Sequence, residues 1–270
     1  MNFEYFIVDG SYLAHRSFHA FQLFNSKGKP TNLIYSFLIS LNCYHKKLKP
    51  KHTYITWDVK AESQRRKIDG NYKPPKHLHP SYINQVKVLQ KILYCLSIPQ
   101  YYSPGFEADD VIATLCRNKA DSTKVIFTID KDIFQLVNEK TWIFDGKKLI
   151  NEKMVIEKFG VEPSLIPYLL AITGDPSDNI EGFKGYGYKK ASKVVKQFLQ
   201  TGELPKDIDT EKFEKNLKLT KLYTCPLQKM SFNFDKKSTL VELLDEFELK
   251  RIKSKLNEFL EIGDTHEEES

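Results

Sequence analysis

Three short, β-rich segments in the first half of the chain each lead into an aspartate. The segments cover residues 3–8, 53–57 and 124–129, and the acids that end them are Asp9, Asp58 and Asp130. Helical patterns lie between the segments, which is the alternation of β–α–β units. Parallel strands end at one edge of a sheet, where open α/β folds bind their ligands. We therefore predict an α/β fold with a mostly parallel central sheet flanked by helices, and three carboxylates at one edge.

Further acids fall at predicted helix starts or in turns: Glu107, Asp109, Asp110, Asp132, Asp175 and Asp178. Each acid taken alone is explained by helix capping or by a turn, and Asp175 before Pro176 has the pattern of an N-cap. Nine acids in one crevice, however, would repel each other and raise each other's pKa unless cations neutralised them. A metal site accounts for all nine acids, whereas capping accounts for only some of them.

The candidate ligands are all carboxylates, and no His or Cys residues cluster among them. Oxygen ligands favour Mg²⁺ or Mn²⁺ over zinc. Two ions about 4 Å apart stabilise the attacking and the leaving oxygen of a phosphoryl displacement. Because Mg²⁺ keeps several waters, we expect some of the nine acids to act through water. The predicted metal-site residues are Asp9, Asp58, Glu107, Asp109, Asp110, Asp130, Asp132, Asp175 and Asp178.

A basic segment, residues 60–91, follows the second strand and contains eight Lys or Arg residues against two acids. A Lys or Arg above the crevice would stabilise the negative charge that develops on an attacked phosphodiester. Aromatic rings in the same segment offer stacking surfaces for unpaired bases. A solvated basic face is the simpler alternative. The nucleic-acid contacts predicted in this segment are Arg65, Arg66, Tyr72, Lys73, Lys76 and Tyr82.

Three glycines precede a lysine-rich helical pattern in the second half of the chain. Their spacing is not that of a dinucleotide-binding loop, and no predicted strand precedes them. A tight turn before a helix N-terminus presents backbone N–H groups to phosphate, and the lysines extend this contact along a nucleic-acid backbone. The alternative is a helix–turn–helix corner with glycine in a left-handed turn. The predicted contacts are Gly182, Gly185, Gly187, Lys189, Lys190 and Lys193.

Charge and cysteine usage agree with a nucleic-acid-binding protein of a reducing compartment. The net charge is +6, but without the nine site acids and the five acids of residues 261–270, 21 acids remain against 41 basic residues. Such a basic surface favours polyanion binding. The four cysteines form no CxxC pair, which counts against a zinc knuckle or a disulfide framework. We found no basic leader and no apolar run of ~20 residues, so we expect a cytoplasmic protein.

Taken together, these motifs resemble those of the 5′ nuclease superfamily, which comprises flap endonucleases and the 5′ to 3′ exonuclease domains of bacterial DNA polymerase I. The resemblance runs from residue 6 to about residue 198 and more loosely to the end, and it is to a stand-alone form like those of tailed phages. The family's acidic motifs are matched in order by VDGSYLAHRSFHA with Asp9, by Asp58, and by GFEADD, TIDKDIFQL and GDPSDNI. Any one motif alone would be a weak signal, but their agreement in order is specific.

The resemblance also implies an arch over the site and a duplex-binding element. The arch pattern FR…YK…R is matched at Arg65 and Lys73, with Gln64 in place of the aromatic residue and Lys76 in place of the last Arg. Residues 182–197 resemble the helix-hairpin-helix element, which in the family binds duplex DNA, often with K⁺ held by backbone carbonyls. The implied organisation is a nuclease core over residues 1–164 with an arch at about 60–95, a C-terminal helical region over 165–262, and an acidic tail over 263–270.

The function implied by the resemblance is that of a metal-dependent, structure-specific 5′ nuclease of DNA replication or repair, with exonuclease and flap endonuclease modes. It would use two Mg²⁺ ions, with Mn²⁺ as a substitute, and Lys73, Arg65 and Asp130 would be catalytic. The expected substrate is DNA with a 5′ flap or end beside a duplex, and the expected state is a monomer in a bacterial or phage-infected cell. The alternatives are a PIN-type ribonuclease and a non-catalytic DNA-binding protein.

Overall fold

The computed structural model describes residues 2–74 and 77–263. Within them, a seven-stranded sheet has the order β6–β5–β4–β1–β2–β3–β9, and β7 and β8 form a separate hairpin. The strands β1 to β5 pair in parallel, while β6 and β9 are antiparallel at the two edges. The strand bounds are β1 (Tyr5–Asp9), β2 (His52–Trp57), β3 (Gln100–Tyr102), β4 (Lys124–Phe127), β5 (Thr141–Phe144), β6 (Leu149–Ile150), β7 (Gly174–Asp175), β8 (Ile180–Glu181) and β9 (Gln228–Lys229). The predicted mostly parallel sheet is confirmed.

Helices connect the strands and form the C-terminal part of the described chain. Two short 3₁₀ helices, Asp132–Leu136 and Pro163–Leu165, supplement them. The α-helices are α1 (Gly10–Phe18), α2 (Asn32–Leu48), α3 (Gln64–Ile68), α4 (Pro80–Cys95), α5 (Ala108–Asn118), α6 (Glu152–Phe159), α7 (Ile166–Thr173), α8 (Tyr188–Thr201), α9 (Thr210–Thr220), α10 (Lys236–Glu246), α11 (Lys250–Ser254) and α12 (Leu256–Gly263). None of the helices in the described ranges is long and apolar enough to cross a membrane.

The sheet is buried on both faces because successive side chains of a strand point to opposite sides. On β1, Phe6 and Val8 face one apolar core, and Tyr5 and Ile7 face the other. The first core is completed by α1, α2, α4 and α10 to α12, and the second by α5 to α9. The molecule therefore has three layers, with helices on both sides of the sheet.

The region after residue 165 contributes to both cores. Phe259 of α12 packs with the first core and Val194 of α8 with the second. β9 also extends the central sheet by pairing with β3. The helices after residue 165 therefore share both apolar cores with the N-terminal part of the chain. The division into a core over 1–164 and a helical region over 165–262 stays a prediction.

Several local expectations differ from the structure. The third predicted strand ends at Phe127 rather than at residue 129. No helix begins at Asp175: the residue lies in β7, its carboxylate accepts the Ser177 N–H at 2.9 Å, and the chain turns into β8. The predicted DNA contact Lys76 and residues 264–270 of the predicted acidic tail lie outside the described residues.

Candidate active site

Three aspartates meet where the central strands end. Asp9 is the last residue of β1, Asp58 follows β2 directly, and Asp130 lies three residues beyond β4. Because β4, β1 and β2 are adjacent and parallel, their carboxyl ends lie side by side. The expectation drawn from strand order agrees with the structure.

Asp9 is buried and caps α1. Its carboxylate accepts the Tyr12 N–H at 2.9 Å and lies 3.3 Å from the Thr128 hydroxyl. Burial, followed by the negative charges of Asp58 and Asp130, raises the pKa of Asp9 to about 7. Without a cation nearby, this carboxyl would be partly protonated at neutral pH.

The N-terminus of α5 brings a second group of acids to the same edge. Glu107 is the N-cap residue and Asp109 lies in the first turn, where the helix dipole favours negative charge. Asp58 accepts the Ala108 N–H at 2.9 Å, which joins this helix to the end of β2. Burial, together with the charges of Asp130 and Asp9, raises the pKa of Asp109 well above its ordinary value.

Asp110 is not part of this cluster, because it is fully buried in an ion pair with Arg65. The guanidinium of Arg65 donates to both oxygens of Asp110, at 2.6 and 2.8 Å. Those oxygens also accept the N–H groups of Tyr223 and Glu107, at 2.8 and 3.2 Å. Arg65 is only 3 % exposed and donates further to the Leu219 carbonyl. We therefore correct two predictions: Asp110 is not placed as a metal ligand, and Arg65 is not open to DNA in this conformation.

The loop after β4 carries two more carboxylates. Asp130 accepts the Asp132 N–H at 3.0 Å, and its own N–H donates to the Thr128 hydroxyl at 3.1 Å. The Oδ1 atom of Asp132 is buried and has no hydrogen-bond partner within the described residues. Burial and the charges of Asp130 and Asp178 raise the pKa of Asp132 well above its ordinary value. A buried carboxylate oxygen without a donor is the environment that a bound cation satisfies.

The turn between β7 and β8 supplies Asp175 and Asp178. Asp175 accepts hydrogen bonds from the backbone and hydroxyl of Ser177, and from the Lys131 ammonium at 2.9 Å. Burial alone would raise the pKa of Asp175, but the hydrogen bonds from Lys131 and Ser177 outweigh it and lower the pKa. Asp175 therefore differs from Asp9 and its neighbours because it already has a cationic partner.

Residues 64–74, which we call the strap, lie against these carboxylates. The Lys73 ammonium lies 2.9 Å from Glu107 and 3.7 Å from Asp178. The Tyr72 hydroxyl donates to Asp178 at 2.9 Å, and the residue is only 1 % exposed. Because the ring of Tyr72 is buried, it is not available for base stacking in this conformation, which corrects that prediction. Arg66 is half-buried and donates to the carbonyls of the strap itself.

The predicted arch is thus shorter than residues 60–95. α4 belongs to the core, because Leu89, Ile92 and Leu93 are fully buried in it. Tyr82, in the first turn of α4, is half-buried and packs against Phe18 at 5.5 Å between ring centroids. Burial, with the nearby charges of Asp58 and Asp9, raises the pKa of Tyr82 to about 12. Its predicted stacking on a base stays a prediction.

The glycine-rich turn leads into α8 as expected, with Gly187 as the N-cap residue. The three predicted lysine contacts, Lys189, Lys190 and Lys193, are all exposed. Gly185 has a left-handed φ of +82° and open space around it. Gly182 differs, since a Cβ there would lie 2.2 Å from the Thr173 carbonyl oxygen. The lack of a side chain at Gly182 allows this close backbone packing, and its predicted contact with phosphate stays a prediction.

The remaining eight acids offer the carboxylate oxygens that a hard cation prefers as ligands. Their side chains are not, however, arranged around a common metal position. In residues 2–74 and 77–263, no group of three or more His, Cys, Asp or Glu side chains stands ready to hold a metal ion. Three of the acids are instead paired with lysine: Glu107, Asp178 and Asp175. Sequence reasoning missed Lys131, although its place between two candidate ligands in TIDKD was a usable signal.

Comparison with known proteins gave consistent matches. Residues 4–160 match the family model described as 5′-3′ exonuclease, N-terminal resolvase-like domain. A 5′-3′ exonuclease of Aquifex aeolicus is 37% identical over 236 residues, which cover 81% of each chain. DNA polymerase I of Thermus thermophilus is 34% identical over 213 residues, covering 77% of this chain but 26% of the polymerase.

Solved structures agree at the level of the fold. Flap endonuclease-1 from Methanococcus jannaschii superposes with a TM-score of 0.67 at 16% identity, covering 97% of this chain and 93% of the other. A bacteriophage T5 flap endonuclease, solved as a pseudo-enzyme-product complex with DNA and metal ions, gives 0.65 at 20% identity, covering 96% and 99%. At such low identity, the two superpositions bear on architecture alone.

Proposed function

The chain belongs to the 5′-3′ exonuclease family, and from that premise we propose that it is a metal-dependent, structure-specific 5′ nuclease. In this proposal it hydrolyses phosphodiesters at the 5′ ends and 5′ flaps of DNA during replication or repair. The matched T5 structure is a complex with DNA and metal ions, and the curated relatives are a 5′-3′ exonuclease and DNA polymerases. These relatives support DNA as the substrate class.

The observation that carries the proposal is the convergence of eight carboxylates at the carboxyl edge of the sheet. Burial raises the pKa of Asp9 to about 7, and the pKa values of Asp109, Asp130 and Asp132 are raised as well. A site built only for stability would not assemble so many like charges, because each buried carboxylate without a counter-ion is costly. The metal site we propose comprises Asp9, Asp58, Glu107, Asp109, Asp130, Asp132, Asp175 and Asp178.

Two Mg²⁺ ions, or Mn²⁺ as a substitute, would supply a nucleophilic hydroxide and stabilise the leaving oxygen when bound. The side chains of the protein have two further roles. The carboxylates would hold these ions at the carboxyl ends of the central strands. The Lys73 ammonium offers positive charge to the phosphodiester as its own negative charge increases.

DNA beyond the site would be held by the glycine-rich turn and α8. Lys189, Lys190 and Lys193 are exposed at the start of this helix, where backbone N–H groups also favour phosphate. We include in the proposal a K⁺ ion held by backbone carbonyls of this turn. The substrate is then a duplex gripped by α8 with a single-stranded 5′ end at the carboxylates, and the protein acts as a monomer in the cytoplasm.

The test is cleavage of a 5′-labelled flap duplex with and without Mg²⁺, by the unaltered protein and by Asp130→Asn. We expect cleavage only with Mg²⁺, and a loss of about 10³-fold or more in the variant while DNA binding persists, because one ligand charge is removed without a change of size. The matched control is Asp121→Asn, at an acid that is fully exposed. Near-normal turnover by Asp130→Asn would refute the metal assignment.

The same assay separates the alternatives. Preferential cleavage of RNA over flap DNA would favour a PIN-type ribonuclease. Tight DNA binding with no cleavage of any DNA structure in Mg²⁺ or Mn²⁺ would favour a non-catalytic binding protein.

A further inference from the structure

Two lysines from different parts of the chain form ion pairs with the proposed metal ligands. The Lys73 ammonium lies 2.9 Å from Glu107 and 3.7 Å from Asp178. The Lys131 ammonium lies 2.9 Å from Asp175. The site therefore already contains two positive charges of its own, each contacting carboxylates that a metal ion would need.

The position of Lys73 is set by the backbone of the strap. Its φ of +43° lies in the left-handed region, which costs energy for a residue other than glycine. Its N–H donates to the Asp178 carbonyl at 2.8 Å, and Arg66 donates to the carbonyls of Tyr72 and Lys73. Such contacts direct the ammonium toward the carboxylates rather than into solvent.

The rest of the strap is anchored to α9 and to the β7–β8 hairpin. Asp69 forms an ion pair with Lys215 of α9 at 2.8 Å. The ring of Tyr72 packs with Ile180 and Leu219 in a small apolar cluster of its own. The strap therefore links α9 and the β7–β8 hairpin to α5. The contacts of this whole segment set the position of Lys73 beside the carboxylates.

Lys131 reaches the site from the loop after β4, between two proposed ligands. Its side chain is 38 % exposed, whereas Asp175 is almost fully buried. Ser177 donates to the other oxygen of Asp175, so both oxygens of this carboxylate are engaged. Asp175 cannot approach a divalent ion with its Lys131-bound oxygen while the lysine remains there.

We propose that Lys73 and Lys131 are internal counter-ions that must leave Glu107, Asp178 and Asp175 before divalent ions bind. The inference rests on the proposed function, and it assigns Lys131 a role in the site. Ammonium groups and divalent ions compete for the same oxygens, because placing both there adds charge repulsion at short range. Metal loading releases Lys73 and loosens the strap, which frees that ammonium for the phosphate.

The test measures Mn²⁺ binding to the DNA-free protein by electron paramagnetic resonance, in 150 mM salt. Lys73→Met and Lys131→Met keep much of the side chain and remove the charge. We expect each to tighten Mn²⁺ binding by about 10-fold, and the double variant to tighten it further, because the competing cations are gone. The control is Lys29→Met, whose lysine pairs with Glu246 far from the site. Unchanged or weaker Mn²⁺ binding in both single variants would overturn the inference.

A second measurement uses the unaltered protein and does not depend on the folding of any variant. Trypsin cleaves after Arg65, Arg66 and Lys67 of the strap, so its rate there reports strap release. Faster cleavage at these bonds with Mn²⁺ supports the inference, and an unchanged or slower rate contradicts it. If the unaltered protein binds no Mn²⁺ at all, the proposed function itself fails, which distinguishes the two results.

Discussion

At the scale of single residues, the buried charge of Asp9 lowers the stability of the folded chain when no cation is bound. Its carboxyl is buried beside Asp58 and Asp130, and its pKa is raised to about 7. A carboxyl with a raised pKa holds its proton more firmly in the folded than in the unfolded state. Its contribution to stability is present at low pH and is lost as the pH rises from about 4 through about 7. A bound cation would reverse this loss.

Asp9→Asn tests this balance, because asparagine resembles the protonated acid. In EDTA at pH 8, we expect the variant to unfold about 2–6 °C above the unaltered protein, which corresponds to ~1–2 kcal/mol. At pH 4, where the native carboxyl is protonated, the two melting temperatures should be similar. The measurement is thermal unfolding by circular dichroism across this pH range.

The same variant should lose stabilisation by Mg²⁺ together with flap cleavage. The control is Asp245→Asn, at an exposed acid of α10. A melting temperature for Asp9→Asn below that of the unaltered protein at pH 8 would contradict the view that the Asp9 charge is destabilising without metal.

At the scale of elements, the β7–β8 hairpin positions two of the carboxylates by close backbone packing. A Cβ at Gly174 would lie 2.3 Å from the backbone nitrogen of Gly182, and one at Gly182 would lie 2.2 Å from the Thr173 carbonyl oxygen. The hairpin can close only because neither residue has a side chain. Asp175 ends β7, and Asp178 lies in the turn that this closure holds.

Gly182→Ala should therefore disturb both stability and activity. We expect a loss of about 2–3 kcal/mol, since backbone atoms must move to admit the methyl group, and a marked fall in cleavage rate as Asp175 and Asp178 shift. Gly187→Ala is the matched control, because its surroundings are open and its φ of −78° suits alanine. Chemical denaturation and single-turnover cleavage are the measurements. Equal behaviour of the two variants would show that close packing at Gly182 is unimportant.

At the scale of the whole molecule, the C-terminal helices complete the core beneath the N-terminal strands. Leu240 and Leu244 of α10 and Phe259 of α12 are buried in the same cluster as Phe6 of β1. The second cluster likewise combines β1 with α7 to α9. The carboxylate site also draws on both regions, because Asp175 and Asp178 come from beyond residue 165.

A fragment of residues 1–164 should therefore not fold cooperatively. Removal of the helices after residue 164 exposes apolar surface on both faces of the sheet, at a cost of about 25 cal/mol for each Å². We expect the fragment to show no cooperative thermal transition and poorly dispersed amide resonances, in contrast to the full chain. A sharp transition in the fragment would mean that residues 1–164 are an independent domain.

The sequence predicted the positions of those residues that depend only on local secondary structure. Strand ends place Asp9, Asp58 and Asp130 because β-rich runs and helical periods are local signals. The start of α8 just after Gly187 follows from the same kind of signal. The sequence did not predict short strands such as β3, β6 and β9, because two or three residues are too few to show a periodic pattern of apolar side chains.

The sequence by itself determined the parallel α/β architecture, the acidic edge of the sheet and the family. Only the tertiary structure decided which of these acids have a cationic side chain as a partner. Arg65 and Asp110 are 45 residues apart, Lys131 and Asp175 are 44 apart, and Tyr223 reaches Asp110 across 113 residues. Such pairings follow from how the layers pack, and no local pattern encodes them. Charge pairing in the folded chain thus separates Asp110, whose partner Arg65 is buried with it, from Glu107, Asp175 and Asp178, whose lysine partners are partly exposed.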